Sequence, residues 1–198
     1  DDRPRLDMPT PTETTIEFRV KHDGESDEDA ILLGKNRPNP NGYIVSFTGS
    51  TTAPNLDFGM KFPNSDNWSL VSTGGVPAGE WTHVACVYDG SKQVIYINGE
   101  LDSTREDWNN ESMNGNDVPL RFGYSDGTGR RLFSGQLDDV RIWDKPRTRQ
   151  EVQADYQREL YGDEEGLLAY WRTADDGTVH GSVGSGLTGD LEEIDQPF

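Results

Sequence analysis

Two residue constellations in this chain have the make-up to hold a ligand. Trp68, in Asn64-Ser65-Asp66-Asn67-Trp68, and Trp108, in Glu106-Asp107-Trp108-Asn109-Asn110, each set an indole beside Asp and Asn. A flat apolar face next to hydrogen-bonding groups is what a hydroxyl-rich ligand requires. The competing reading is a buried ring that anchors its own loop, and it weighs more for Trp68 than for Trp108. Asp107 and Asn109 flank Trp108, and Asp126 sits in Gly123-Tyr124-Ser125-Asp126-Gly127-Thr128-Gly129, which reads as a long rim loop because no helix opens there to cradle a phosphate. The second constellation is Asp138-Asp139. Strand alternation places the two on opposite faces, so one points inward and needs a partner, either a cation or the guanidinium of nearby Arg141.

Other chemistries find less support. His22, His83 and His180 stand apart, with neither a Ser-His-Asp set nor a metal-binding His pair around them. Retaining glycoside cleavage needs two carboxyls about 5 Å apart. With 36 Asp and Glu in the chain, chance acid pairs are expected, and none is credited as catalytic. Asn67-Trp68-Ser69 and Asn110-Glu111-Ser112 are Asn-x-Ser sequons, so the two Trp loops could carry glycans instead of binding them. Arg130-Arg131 reads as a balance for nearby Asp residues.

The elements that must position these residues are short strands. In Thr14 to Val20 the side chains of Ile16, Phe18 and Val20 share one face, the period of a half-buried strand. Further strands are expected over Ile31 to Leu33, Tyr43 to Phe47, Leu56 to Phe62, Trp68 to Ser72, Glu80 to Tyr88, Gln93 to Ile97, Leu120 to Tyr124, Gly135 to Trp143 and Leu167 to Trp171. Asn98-Gly99 predicts a type I′ hairpin. One helix is expected after Lys145-Pro146, where Thr148 and Glu151 have capping-box spacing and Val152, Tyr156 and Leu160 form an apolar stripe. The Gly-rich tail from Asp175 to Asp190 reads as loop or edge strand. Many short strands without alternating helices predict an all-β antiparallel sandwich or jelly roll.

Composition bounds the function. At 198 residues the chain is expected to form one domain. Its formal charge of -18 repels nucleic acid and anionic membranes. Only 32% of residues are hydrophobic, yet 5 Trp, 7 Tyr and 7 Phe supply a core. Acidity together with an excess of Arg over Lys points to a halophilic, salt-rich setting, in which molar salt shortens the screening length to roughly 3 Å. Cys86 is the single cysteine and reads as a small core residue. No apolar run reaches the roughly 20 residues of a membrane span, and no signal peptide is recognised. A start at Asp1 rather than Met suggests a processed or excised piece.

Three segments together resemble the laminin-G-like, concanavalin A-like jelly-roll family. Val76-Pro77-Ala78-Gly79-Glu80-Trp81-Thr82-His83-Val84-Ala85-Cys86-Val87-Tyr88-Asp89-Gly90 is similar to its PxGxWTHVAxxYDG strand pair. Ile95-Tyr96-Ile97-Asn98-Gly99-Glu100 is similar to its lYvNGe hairpin. Phe133-Ser134-Gly135-Gln136-Leu137-Asp138-Asp139-Val140-Arg141-Ile142-Trp143, continued by Thr148 to Tyr156, is similar to fxGxIDDVRIWxxxLsxxEI. Gly166 to Trp171 looks like the GLvaYW strand near the boundaries of such domains. The family's opening strand has no counterpart, since the chain shows Asp1-Asp2-Arg3-Pro4-Arg5-Leu6 there. Within these motifs Trp81 and Trp143 are expected to be apolar fillers.

The resemblance implies a single domain over 1-198, with core motifs in 14-160 and a closing strand and tail in 161-198. It implies a non-catalytic module that binds carbohydrate or a cell-surface glycoprotein through rim loops. Trp108, Asp107, Asn109, Asp126 and Trp68 are the expected contacts. It also implies a structural calcium at Asp138 or Asp139, a hard cation suited to carboxylate and carbonyl oxygens. The family's glucan-cleaving enzymes share a Glu-x-Asp-x-x-Glu strand. Here Glu193-Ile194-Asp195 lacks the third acid, and Glu106-Asp107 with Glu111 has the wrong interval. An extracellular or surface-associated setting follows from family habit. The alternatives are a structural or adhesion subunit of a virion or surface layer, assembling as an oligomer, and, with less support, a glycan-cleaving enzyme.

Overall fold

The computed structural model describes residues 13–35, 42–62, 69–106, 120–123, 131–173 and 179–183. Its strands are β1 (Thr14–His22), β2 (Ile31–Gly34), β3 (Gly42–Thr48), β4 (Asn55–Lys61), β5 (Ser69–Gly75), β6 (Thr82–Tyr88), β7 (Gln93–Ile97), β8 (Glu100–Arg105), β9 (Arg121–Phe122), β10 (Gly135–Trp143), β11 (Leu167–Thr173) and β12 (Val179–Val183), with one helix α1 (Arg149–Asp155) between β10 and β11. They form two antiparallel sheets, β12-β11-β10-β1-β6-β7-β8 and β5-β4-β3-β2-β9. The expected sandwich is there, and the tail supplies an edge strand.

Period-two patterning explains the core. Ile16, Phe18 and Val20 of β1, Val84 and Cys86 of β6, and Val140 and Ile142 of β10 meet Val45, Phe47, Phe58 and Met60 of the smaller sheet. Burial pushes the Cys86 thiol up, leaving it inert. At Asn98-Gly99 both residues have positive φ, 50° and 78°, as a type I′ turn demands. On the open side of the sandwich Asp102 of β8 accepts hydrogen bonds from the backbone N–H of Thr73 and of Gly74, at 2.7 and 2.8 Å. One carboxylate thus closes the edge of β5 against β8 and blunts it for pairing.

The outer face of the larger sheet is covered rather than solvated. The capping box forms as expected, with Thr148 as N-cap and Glu151 reaching back to it. The helix ends at Asp155 with Tyr156 as C-cap, and Leu160 lies beyond it in a small cluster with Trp143, Leu167 and Tyr170. Val152 packs on Ala85, Val87, Val94 and Tyr96. Beside this apolar contact lies a buried charge network. Glu17 of β1 is completely enclosed and meets Arg141 of β10 at 3.2 Å and Arg147, just before the helix, at 3.0 Å. Arg147 also pairs with Asp155 and stacks over the Trp143 ring at 4.2 Å. Asp155 takes Arg158 at 2.7 Å, and the Arg141 fork closes on Asp139.

A bulge in β10 shapes this network. Glu17 pairs with Arg141 and Arg19 with Asp138, so two steps along β1 span three along β10, and Asp139 takes a positive φ of 56°. Leu137 and Val140 both pack on the core. The two acids between them therefore do not alternate across the sheet as the plain strand period predicts.

Two carboxylates separate by environment. Burial alone would raise the Glu17 carboxyl, but His83 at 3.8 Å and the charges of Arg147 and Arg141 outweigh it and hold it below the ordinary 4.5. Asp57 of β4 is the reverse case. Burial lifts it above the ordinary 3.8 despite a hydrogen bond to Ser69, and its Oδ1 is sealed from solvent without a partner.

Glu17→Gln is expected to cost about 3–5 kcal/mol in urea unfolding at neutral pH, because two buried guanidiniums lose their carboxylate. A loss under about 1 kcal/mol would mean the pair behaves as a solvated surface contact. Because the folded-state affinity of Glu17 for a proton is lowered, its contribution is complete above 4.5 and fades as pH falls below it, so the variant's deficit should shrink in acid. For Asp57→Asn the sign reverses. Ionising a carboxyl whose proton affinity is raised costs stability at neutral pH, so the variant should melt higher there, with the gain vanishing below 3.8, where both states are protonated. An unchanged gain in acid would refute the burial argument.

Candidate functional site

Trp68, Asp107, Trp108, Asn109 and Asp126, and with them the sequons at Asn67 and Asn110, lie outside the described residues. The strands that flank them are described. β4 ends at Lys61, β5 begins at Ser69, and β8 ends at Arg105. The Arg105 guanidinium donates to the Ser69 carbonyl at 2.9 Å, so the strand ends next to Trp68 and to Asp107-Trp108-Asn109 meet at one rim. Asp126 falls between β9 and β10. β10 begins at Gly135, opposite His22 at the end of β1, which is the other rim.

Asp138 and Asp139 are described. Both Asp139 oxygens accept from Arg141, whose Nε lies 3.2 Å from Oδ1 and whose Nη2 lies 2.5 Å from Oδ2. Asp138 Oδ1 accepts the backbone N–H of Asp139 and of Thr173, each at 2.8 Å. A guanidinium occupies the place that a cation would take at Asp139, so this pair does not fit as a calcium ligand set, and the buried Asp–Arg pair is the arrangement present. Among the described residues no group of three or more His, Cys, Asp or Glu is placed to hold a metal ion.

The acid-rich turn after β1 is likewise occupied with holding loops. Asp23 Oδ1 accepts the Glu25 N–H at 2.9 Å and its Oδ2 accepts the Ser134 hydroxyl at 2.5 Å. Asp27 accepts the Leu132 N–H at 3.0 Å. These bonds clamp the segment before β10 onto the loop before β2. A shallow depression lies alongside, lined by Ser26 to Asp29, Thr48, Ser50 and Pro54.

The histidines are structural where they are described. His22 Nε2 is 2.8 Å from the Val76 carbonyl and its Nδ1 accepts the Gly24 N–H, while His83 lies edge-on to Tyr156 beneath the helix end. Trp143 is buried as a filler, but Trp81 is not, being 38% exposed. The reason is parity. Thr82, Val84, Cys86 and Tyr88 face inward, so Trp81 shares the outer face with His83, beyond the last turn of α1. Arg19 of β1 lies over the Trp81 ring at 5.3 Å, with Lys21 and Gln136 alongside in register. The same alternation that located the core could have found this surface.

The fold has solved relatives. A protein from Bacteroides ovatus ATCC 8483 to which carbohydrate binding has been ascribed aligns with a TM-score of 0.67 at 19% identity, over 90% of this chain and 53% of that one. The chain therefore spans about half the length of that relative. A native heptameric SAP-like pentraxin from Limulus polyphemus aligns with a TM-score of 0.57 at 19% identity, over 90% and 86% of the two chains. Domain 4 of a GH43 extracellular arabinanase from Geobacillus stearothermophilus, solved with arabinotriose, aligns with a TM-score of 0.56 at 19% identity, over 75% and 68%. No curated protein matches the chain in sequence. The Laminin_G_3 family matches residues 3–153, three quarters of the chain, and with the two-sheet architecture and the Asp-Asp-Val-Arg-Ile-Trp strand in place, the protein belongs to the concanavalin A-like lectin/glucanase superfamily.

Proposed function

We propose that this domain is a non-catalytic recognition module that binds carbohydrate, free or on a glycoprotein, in an extracellular or surface setting. Family membership carries the reading, and two of the solved relatives are a protein with ascribed carbohydrate binding and an arabinanase domain solved with arabinotriose. The deployment of acids in the described region agrees with it. Glu17, Asp139 and Asp155 are held in guanidinium pairs, and Asp23, Asp27 and Asp102 bind loop or edge N–H groups. A carboxylate locked in a structural pair is poorly placed to exchange protons with a glycoside.

The rim where β5 begins and β8 ends is the proposed docking place, with Trp108 as the stacking ring and Asp107 and Asn109 as its polar neighbours. A Trp face gives a sugar ring apolar contact, and the flanking groups fix its hydroxyls. A glycan array in molar salt, run with calcium and with chelator, tests the reading. Binding to a defined glycan is expected, weakened by about tenfold or more in Trp108→Ala, the loss of one good contact. Unchanged binding by that variant would remove the rim site. Silence of the folded protein across the array would favour a packing role in an assembly. Dependence on calcium would locate an ion elsewhere than at Asp139.

A further inference from the structure

The distribution of cations in this acidic protein singles out one surface. Every described lysine and arginine other than Arg19 and Lys21 has an acid, a carbonyl or another interaction partner. Among the described residues the Arg19 guanidinium lies over the Trp81 ring without a hydrogen bond or ion pair, and none holds the Lys21 ammonium. In a chain of net charge -18, two adjacent cations without an ion pair are the exception among the described residues.

Strand register sets these two cations into a platform. Arg19 and Lys21 are alternate residues of β1 and share its outer face. On one side Arg19 is opposite His83, and continuing that register by two residues brings Trp81 opposite Lys21. On the other side Lys21 faces Gln136 and Arg19 faces Asp138. Three neighbouring strands thus present an indole, two cations, an amide and a carboxylate over roughly 10 Å, twice the strand spacing. The helix stops short of it. Tyr156, the C-cap, lies over His83, one step before Trp81, and Gln136 is exposed. Asp138 is immobilised through Oδ1 by two backbone N–H groups and makes no ion pair with Arg19.

We propose that this outer-face platform is a second binding site and that its ligand is an anionic sugar, carrying a carboxylate or a sulfate. The sugar's apolar face packs on Trp81, the anionic group is received by Arg19 and Lys21, and Gln136 and Asp138 meet hydroxyls. A guanidinium fork matches a planar carboxylate or a sulfate edge with two parallel N–H bonds. A neutral sugar would leave both cations without a counter-charge. The kind of ligand rests on the carbohydrate reading above, whereas the location does not.

The test is calorimetric titration with galacturonate trimer, its neutral galactose counterpart and a sulfated galactose trimer, each at low and at molar salt. Wild type is expected to bind the anionic trimers at least about tenfold more tightly than the neutral one, with the preference narrowing in salt. Arg19→Gln, Lys21→Gln and Trp81→Ala should each abolish most of that preference. Arg172→Gln, at an exposed cation paired with Glu159, should leave it intact. If Trp81→Ala does not fold, Trp81→Leu and the two cation variants read the same site. The ratio of carboxylate to sulfate binding identifies which anion the site prefers. Anionic binding that survives Arg19→Gln and Lys21→Gln overturns the site. Neutral glycans bound through Trp108, with no anionic preference, overturn the inference and leave the carbohydrate module standing.

Discussion

Glu17 sits with no solvent contact between two guanidiniums, and the outer half of the domain is arranged around it. An enclosed carboxylate is tolerable only when charges and hydrogen bonds compensate its lost hydration. Here the compensation comes from three parts of the chain that are far apart in sequence. β1 supplies the acid, β10 supplies Arg141, and the lead-in to α1 supplies Arg147, which grips Asp155 at the helix end. Arg141, Arg147 and Arg158 balance Glu17, Asp139 and Asp155 in number. A helix of seven residues is too short to be stable alone, so it depends on this lock and on the contact of Val152 with the sheet.

The Asp-Asp-Val-Arg-Ile-Trp segment acquires a physical meaning from the same network. Arg141 is the hub, Trp143 is the aromatic floor under Arg147, and Val140 and Ile142 fill the core. The first Asp ties β10 to β11 through the Thr173 N–H. The second turns the strand through a left-handed residue so that its carboxylate reaches the Arg141 fork. Both acids serve architecture, and the motif marks the fold without naming the ligand.

What could be read from the sequence was local. Alternation in Ile16, Phe18 and Val20, the Asn98-Gly99 turn and the Thr148–Glu151 box each declare themselves within a few residues, and each forms. The β10 bulge could not be read, because its cause is the pairing of Asp139 with Arg141 and of Glu17 with both β10 and the helix lead-in. Alternation applied without that knowledge set Asp138 and Asp139 on opposite faces and left a gap for a cation. The exposure of Trp81 is legible in principle from the inward parity of Thr82 and Val84, although tryptophan's apolarity alone argues for burial. The Trp108 loop lies outside the described residues, so its chemistry rests on composition.

Charge distribution completes the picture. The inner network is balanced, so the net charge of -18 is carried mainly by the surface, and most described cations are already engaged. Mutual repulsion among surface acids weakens the compact state at low salt and is relieved as screening shortens. Long-range steering of an anionic ligand is unfavourable on such a protein. Recognition of one must therefore act at contact distance, where a fixed guanidinium outweighs remote carboxylates because the Coulomb energy falls with both distance and screening. Arg19, held over the Trp81 ring at the edge of the helix-covered face, meets that condition, and a salt-rich medium would suppress the distant repulsion more than the contact.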